Sequence, residues 1–591
     1  MKNTRQNQNW ISRGALVLAA VLVSAVITAQ SAPAQTFTVL DDFNSTDGGD
    51  ASATLVQATN GNLYGTTPEG GAAGAGNIYY VTPSGTLNSI YAFCLLGTPP
   101  NDCPDGYKPL PALIQASNGD LYGTTLGGGA NNEGTVFKIT TDGSLTTLHS
   151  FCSLSGCVDG IQPYGPLFQA RNGDLYGTTS FDGASSGWGT IFKMTLTGKL
   201  TTIVNFAYTP GGNMPVGGLI EATNGDLYGM TPTGGGNGGC TYDCGTVFKI
   251  TAAGKITYLH NFCSLSGCAD GGSPQGALIQ ASNGNFYGTT SVGGANGYGT
   301  VFEITPAGKL TTLYSFCSVS GCADGSSPRS TLIQATDGNL YGTTENGGNV
   351  YAGAVGYCPA SYGCGTIFEI TGDKLTTLYS FCAQTGCYDG FFPTSGLILD
   401  TNGTFYGATP VGGTVNCPAE GGGCGTLYTL STGLGPFVAL QTTSGKESAK
   451  IGILGQNFSD SSVVEFGGTP ASTIALTGTT FITATVPAGA LTGSVTVTTG
   501  STTLTSSLPF SVLPTITSIP SSGSVGTPVA IEGTGLTQTT KVTFGGVKAT
   551  SVTVNSDTQV TADVPTGAKT GKIAITTQGG SATSKTTFTV N

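Results

Sequence analysis

Charge is scarce in this chain. Asp, Glu, Lys and Arg together make up 9% of its 591 residues, too little to clothe solvated amphipathic helices, whereas Thr, Ser, Val and Gly are plentiful and favour β structure. Basic residues are scarcer still, with 20 Lys and Arg against 32 acids and a formal net charge of -12. An acidic surface repels phosphate backbones, and no basic stripe with interleaved aromatics relieves it, so a nucleic-acid partner is excluded. Only two histidines exist, His149 and His260. They fall at the same register of a repeat, where other copies carry Tyr314 or Tyr379, which argues for packing or surface roles and against a catalytic base. A Ser-centred glycine elbow with a histidine partner is missing, as is a phosphate-cradling glycine loop ending in Lys. Beyond the first 34 residues no long apolar run occurs.

Within those 34 residues, Lys2, Arg5 and Arg13 precede an apolar run from Ala15 to Ala29, followed by Ala32-Pro33-Ala34. This is the pattern of a cleavable secretory signal, and the run is shorter than the roughly 20 residues that span a bilayer. Cleavage removes three cations and no acid. The expectation is an exported protein, extracellular or at the periplasm or cell surface, without a membrane span.

What fills the rest is repetition. Glycine and proline, 95 and 28 residues, stay below the roughly 25–30% that marks low-complexity disorder, so they read as turn chemistry. A Tyr-Gly pair recurs at Tyr64, Tyr122, Tyr176, Tyr228, Tyr287, Tyr341 and Tyr406, each inside a unit such as ALIQASNGNFYGTTSVGGANGYGTVFEITPAGKLTTLYSF, residues 277–316. The unit divides into four short β runs, A to D, with Asn-Gly or Asp-Gly turns between A and B. Four antiparallel strands per unit suit a propeller blade. A D-like strand, FTVLDDF at 37–43, precedes the first unit, while the seventh unit lacks a D strand of its own. The expected fold is therefore all-β: a seven-bladed β-propeller, residues 35–434, closed by the N-terminal strand, which hides both edges of an open array.

From Pro436 a longer repeat begins. PFVALQTTSGKESAKIGILGQNF aligns without gaps on PTITSIPSSGSVGTPVAIEGTGL, and Phe466-Gly467-Gly468 and Val486-Pro487 recur as Phe544-Gly545-Gly546 and Val564-Pro565. Two immunoglobulin-like β-sandwiches are expected, 435–513 and 514–591.

The Tyr-Gly-Thr-Thr, Gly-Thr-Val-Phe-Lys/Glu-Ile-Thr and Leu-Thr-Thr-Leu-Tyr-Ser-Phe strings resemble the Gloeo/Verruco (GloVer) tandem repeat of bacteria. Both later modules resemble the IPT/TIG domain. Neither resemblance implies a catalytic motif or a cofactor; the first implies a cell-envelope or secreted protein. The third unit departs from the pattern, because AYTPGGNMPVG at 207–217 lacks the Cys pair and Asp-Gly of its neighbours.

All sixteen cysteines sort by strand connection. Between D and the next A lie Cys94/Cys103, Cys152/Cys157, Cys263/Cys268, Cys317/Cys322 and Cys382/Cys387; between B and C lie Cys240/Cys244, Cys358/Cys364 and Cys417/Cys424. Even-numbered local pairs in an exported chain read as disulfides, and with so few histidines no metal site is expected. Because strands alternate in direction, both kinds of loop emerge on one face. Asp105, Asp159, Asp270, Asp324 and Asp389 follow the D-to-A pairs, and Asx-type turns are their expected role. Strand A carries Gln57, Gln115, Gln169, Glu221, Gln280 and Gln334, suited to unpaired backbone at the inner edge. Aromatics of the B-to-C loops, Trp188, Tyr242, Tyr298, Tyr357 and Tyr362, are candidates for stacking on a sugar ring or peptide. The reading is a non-enzymatic binding or adhesion protein whose loop face recognises a glycan or a cell-surface protein. A polysaccharide lyase or hydrolase on the same scaffold, and a purely structural surface component, remain alternatives. Oligomeric state is not encoded in any of these features.

Overall fold

The computed structural model describes residues 35–591 except 100–101, 182–186, 208–210, 237–243, 252–253, 350–357, 359–362 and 416–422. The expected leader, 1–34, lies outside the described residues. Among the described residues there is no α-helix, and none that is long and apolar enough to cross a membrane.

Residues 36–431 form seven four-stranded antiparallel sheets. In the fifth unit, strands A to D are Ile279–Gln280, Phe286–Thr290, Thr300–Ile304 and Leu310–Ser315. Asn-Gly between A and B supplies the left-handed residue of the tight turn, with Gly284 at φ +84°. The seventh unit takes A, B and C from Ile398–Leu399, Thr404–Thr409 and Thr426–Ser431. Its fourth strand is Thr36–Asp42, antiparallel to the third, with Phe37 opposite Leu430.

The repeated Tyr-Gly has a steric cause. The far end of the aromatic ring of strand C reaches over strand B, so a Cβ on Gly123 would sit 2.6 Å from the Phe137 ring and one on Gly288 2.8 Å from Phe302. The other five units repeat the contact at Gly65, Gly177, Gly229, Gly342 and Gly407. The same ring then receives, edge to face, the phenylalanine that ends strand D of the preceding unit. Phe93 meets Phe137, Phe151 meets Phe192, Phe206 meets Phe248, Phe262 meets Phe302, Phe316 meets Phe368 and Phe381 meets Tyr428. Phe43, from the N-terminal strand, makes the same contact with Tyr79 of the first unit, with centroids 5.0 Å apart and planes at 69°. The seventh sheet thus touches the first as every other sheet touches its successor.

A second link runs along the inner strands. Gln115 Oε1 accepts from Thr59 N (2.8 Å), Gln169 Oε1 from Ser117 N (2.8 Å), Gln280 Oε1 from Thr223 N (2.8 Å) and Gln334 Oε1 from Ser282 N (2.9 Å). Glu221 accepts likewise from Arg171 N, and Gln57 from Thr401 N. These oxygens satisfy the A-to-B turn of the preceding unit, while the amide nitrogens of Gln115, Gln169, Gln280 and Gln334 donate to Gly119, Gly173, Gly284 and Gly338 O of their own turns (2.9 Å each), so the side chains satisfy inner backbone and link the units at once. Leu399 replaces the series at the joint between the sixth and seventh units. Small residues ahead of strand A pack backbone to backbone around the centre: a Cβ on Gly217 would lie 2.7 Å from Gly276 O, and one on Gly276 2.7 Å from Ser330.

Two C-terminal units follow with the same strand order. Their cores match position for position: Ile453, Phe466, Ile482 and Phe510 in one, Ile531, Phe544, Val560 and Phe588 in the other. The first of them is seated on the A-to-B turns of the seventh and first sheets. Phe437 N donates to Thr401 O (3.0 Å), Gln456 Nε2 to Thr401 Oγ1 (2.8 Å) and Thr480 Oγ1 to Thr59 O (3.2 Å). Phe437 also joins the core around Leu399, Phe405 and Leu430.

Gly288→Ala is expected to lower unfolding stability by about 1–3 kcal/mol, because the Phe302 ring has to be displaced. Urea unfolding of the full chain checks this; an unchanged midpoint would show that strand B has room for a side chain.

Candidate functional site: the disulfide-stapled face

The ends of the sheets opposite the A-to-B turns carry the long connections. Each D-to-A segment is stitched to the B-to-C loops on both sides of it. One stitch is a backbone bridge to the following unit, as in Tyr107 with Gly127, Ile161 with Phe181, Gly272 with Val292 and Phe391 with Val411. The other is a single bond to the unit before: Lys108 N donates to Ala75 O, Gln162 N to Glu133 O, Met214 N to Trp188 O, Ser273 N to Cys244 O, Ser327 N to Tyr298 O and Phe392 N to Cys364 O, all at 2.7–2.9 Å. The donors of these bonds all hold left-handed backbone, φ between 52° and 56°. That conformation is costly without glycine, and the stitches on either side hold it.

Disulfides close these segments at Cys94–Cys103, Cys152–Cys157, Cys263–Cys268, Cys317–Cys322 and Cys382–Cys387, and Cys358–Cys364 closes a B-to-C loop. Cys244 and Cys424 are also disulfide-bonded; their expected partners, Cys240 and Cys417, lie outside the described residues. Sulfur atoms of different loops come together, which spacing alone did not reveal. The Sγ atoms of Cys244, Cys263 and Cys268 lie within 4.8 Å of one another, as do those of Cys358, Cys364 and Cys382. A shared metal would require the two kinds of pair to occur together. Instead, Cys152–Cys157 stands in a unit without a B-to-C pair, and Cys424 stands in a unit whose fourth strand carries no cysteine. Each pair is an independent staple, and in these two units the staples lie side by side.

The aspartates after the Cys pairs do not form Asx turns, which would engage backbone two residues ahead. They reach back across the loop. Asp159 accepts from Ser153 N (3.0 Å), Ser153 Oγ (2.8 Å) and Leu154 N (3.4 Å) and pairs with His149 Nε2 (3.0 Å). Asp270 repeats this with Ser264, Leu265 and His260. Tyr314 and Tyr379 take the histidine's place toward Asp324 and Asp389, at 2.8 and 2.7 Å. In the third unit, which lacks the aspartate, the register holds Val204. His149 and His260 are therefore loop anchors. Burial pushes the Asp159 and Asp270 carboxyls up, but the donated hydrogen bonds outweigh it and hold both below the usual carboxylate range. At Asp389 burial wins and the value is raised; Ala383 stands where Ser153 and Ser264 supply a hydroxyl.

Of the aromatic candidates, Tyr242, Tyr357 and Tyr362 lie outside the described residues. Trp188 and Tyr298 occupy one register, the residue whose carbonyl receives the left-handed segment. Tyr298 is 43% exposed, whereas Trp188 is half-buried against Ile191, Phe206 and Leu219. Other units place Ala75, Glu133, Cys244, Cys364 and Cys424 at this register. Loop tips add exposed Leu96, Leu154, Leu265 and Val319. Glu69 and Glu345 on this face are paired with Lys108 and Arg329.

A family model described as the Gloeobacter/Verrucomicrobia repeat matches residues 25–158, 100–269, 153–356 and 237–481, and one described as the IPT/TIG domain matches 514–590. Nothing among curated proteins matches. Solved structures with a likeness include a fungal alcohol oxidase of the AA5 family in complex with copper, at 11% identity and TM-score 0.43, covering 94% of this chain and 98% of that one. SGBP-B from a complex xyloglucan utilization locus in Bacteroides uniformis is 22% identical, with TM-score 0.14, over 26% of this chain and 48% of that one. The PQQ-bound aldose sugar dehydrogenase of Streptomyces coelicolor is 14% identical, with TM-score 0.33, over 54% and 92%.

The aspartate anchors have opposite pH signatures. Stabilisation from Asp159 and Asp270 is present above the ordinary carboxylate value near pH 4 and is lost as pH falls through their lower folded values. That from Asp389 is present at low pH and is lost as pH rises through its raised folded value. Ala383→Ser supplies the missing donor and is expected to bring Asp389 down and to stabilise the sixth unit at neutral pH by about 0.5–1.5 kcal/mol. Thermal unfolding of the variant at pH 4 and pH 7 checks this; a gain confined to pH 4 would contradict it.

Proposed function

The chain belongs to the Gloeobacter/Verrucomicrobia repeat family, and from that premise we propose an exported, non-enzymatic binding protein of the cell envelope or extracellular space. Its seven sheets are the blades of a closed propeller over 35–434. Residues 435–513 and 514–591 are two immunoglobulin-like modules, the second of the IPT/TIG type, and 1–34 is a cleaved signal. The stapled face recognises a glycan or a surface protein through Trp188, Tyr298 and the aromatics of the longer B-to-C loops, Tyr242, Tyr357 and Tyr362.

One observation carries this reading. Across the units, positions that build the sheets hold the same residues, such as the strand-B glycine, while positions with equivalent backbone on the stapled face vary: Ala75, Glu133, Trp188 and Tyr298 beside three cysteines at one register, Lys108, Gln162, Met214 and Phe392 beside two serines at the next. A purely structural face would repeat its chemistry as the core does. A rigid frame with non-repeating side chains is what recognition uses. The opposite face is engaged by the first C-terminal unit, which leaves the stapled face uncovered by the described residues.

The test is binding of the full chain to a panel of polysaccharides, with polymer length followed in parallel. Binding without shortening is expected, and Trp188→Ala and Tyr298→Ala are each expected to weaken it at least tenfold, about 1.4 kcal/mol. Absence of binding to every glycan removes the carbohydrate version; shortening of a polymer establishes the enzyme alternative instead.

A further inference from the structure

The two C-terminal units meet through a small polar patch. Thr492 N donates to Gln538 Oε1 (2.8 Å), and Gln538 Nε2 donates to Gln578 Oε1 (2.9 Å) within the second unit and back to Thr492 O (3.4 Å). Beside the patch, Glu447 of the first unit and Asp557 of the second face each other within hydrogen-bond reach. Glu447 Oε1 accepts from Gly489 N of its own unit (3.0 Å) and its carboxyl is also reached by Gly535 N across the junction, whereas Asp557 accepts from Gly535 N (3.2 Å) and Thr537 Oγ1 (2.7 Å) of its own unit.

No cation compensates this pair. Lys446 and Lys450 flank Glu447 in sequence, and Glu532, whose carboxylate is engaged by Gln559, lies on the neighbouring strand of the second unit. Every ion pair among the described residues falls between Glu69 and Glu345, so neither lysine reaches either carboxylate. The backbone and hydroxyl donors already occupy oxygens that a divalent cation would need. Two ionised carboxylates at this separation repel across the junction. With one proton between them, the acid donates to the carboxylate and joins the units.

We propose that the junction of the two C-terminal units is a proton-operated latch, closed while Glu447 and Asp557 share one proton and released when that proton leaves. Burial, and then Asp557 itself, push Glu447 up to about 7, whereas Asp557 is held low and serves as the acceptor. Because the Glu447 value is raised in the docked state, its contribution to docking is fully present below the free carboxyl range and is lost as pH rises through about 7. Acidification stiffens the C-terminal arm; alkalinity frees it.

Small-angle X-ray scattering of the full chain from pH 5 to pH 9 tests this, with Glu447→Gln alongside. The amide of that variant donates to Asp557 at any pH while still accepting from Gly489. The expected result is a shift of the wild-type chain to a larger radius of gyration with a midpoint near pH 7, and a compact Glu447→Gln chain throughout. A wild-type radius that does not change with pH overturns the proposal. So does a Glu447→Gln chain that expands as the wild type does, since the expansion would then arise elsewhere. Thermal unfolding of both chains at pH 5 verifies that the substitution leaves the units folded.

Discussion

Seven units depend on one contact: an aromatic ring of strand C reaching over a strand-B residue that has no side chain. Only glycine admits the ring at that distance, and only a ring so placed offers its face to the phenylalanine closing the preceding strand D. The two requirements tie the inside of a sheet to the joint between sheets. Each ring fills the space left by one glycine and receives the next edge, so the joints are equivalent in chemistry as well as in geometry. Edge-to-face contacts of this kind are worth about 0.5–1.5 kcal/mol beyond the area they bury, and they recur at every joint.

The seventh sheet and its joint with the first bear an added load, because the fourth strand of the seventh sheet, Thr36–Asp42, is held to the third, Thr426–Ser431, by strand pairing alone and not by a hairpin. Three interactions converge there. The N-terminal strand completes the seventh sheet and delivers Phe43 to Tyr79. Gln57 bonds across to buried Asp400 and Thr401, where other units have an alanine in place of the aspartate. The first C-terminal unit then caps Thr401 through Phe437 and Gln456. Burying a carboxyl such as Asp400 raises its pKa and is tolerable only with donors on every side, which the seam provides. The C-terminal unit is therefore part of the closure as well as an appendage to it.

Much of this was legible in sequence because it is local and periodic. Tyr-Gly pairs, Asn-Gly turns and the displaced FTVLDDF strand specify hairpins and their order without reference to distance. The cysteine pairs were readable for the same reason, being four to nine residues apart. What escaped is what depends on units coming together. Gln115 and its counterparts read as inner-edge residues, which they are, but their carbonyls also reach the neighbouring turn. The sulfurs of Cys244 and Cys263 are distant in sequence and adjacent in space. Asp159 reads as a turn former, yet it reaches backward to a serine six residues earlier and to His149. Nothing in the spacing of Glu447 and Asp557 marks them as partners.

The stapled face inherits its rigidity from the same frame: left-handed residues held on both sides, carboxylates fixing the loop interior, and disulfides closing most of the D-to-A segments. On that frame the side chains are free to differ from unit to unit, and the proposed recognition rests on that difference. All of it presumes that the seven sheets close. A double-mutant cycle at Phe43 and Tyr79, compared with one at Phe151 and Phe192, measures this most directly. The account predicts coupling energies of about 0.5–1.5 kcal/mol at both joints; coupling at Phe151 and Phe192 with none at Phe43 and Tyr79 would contradict closure.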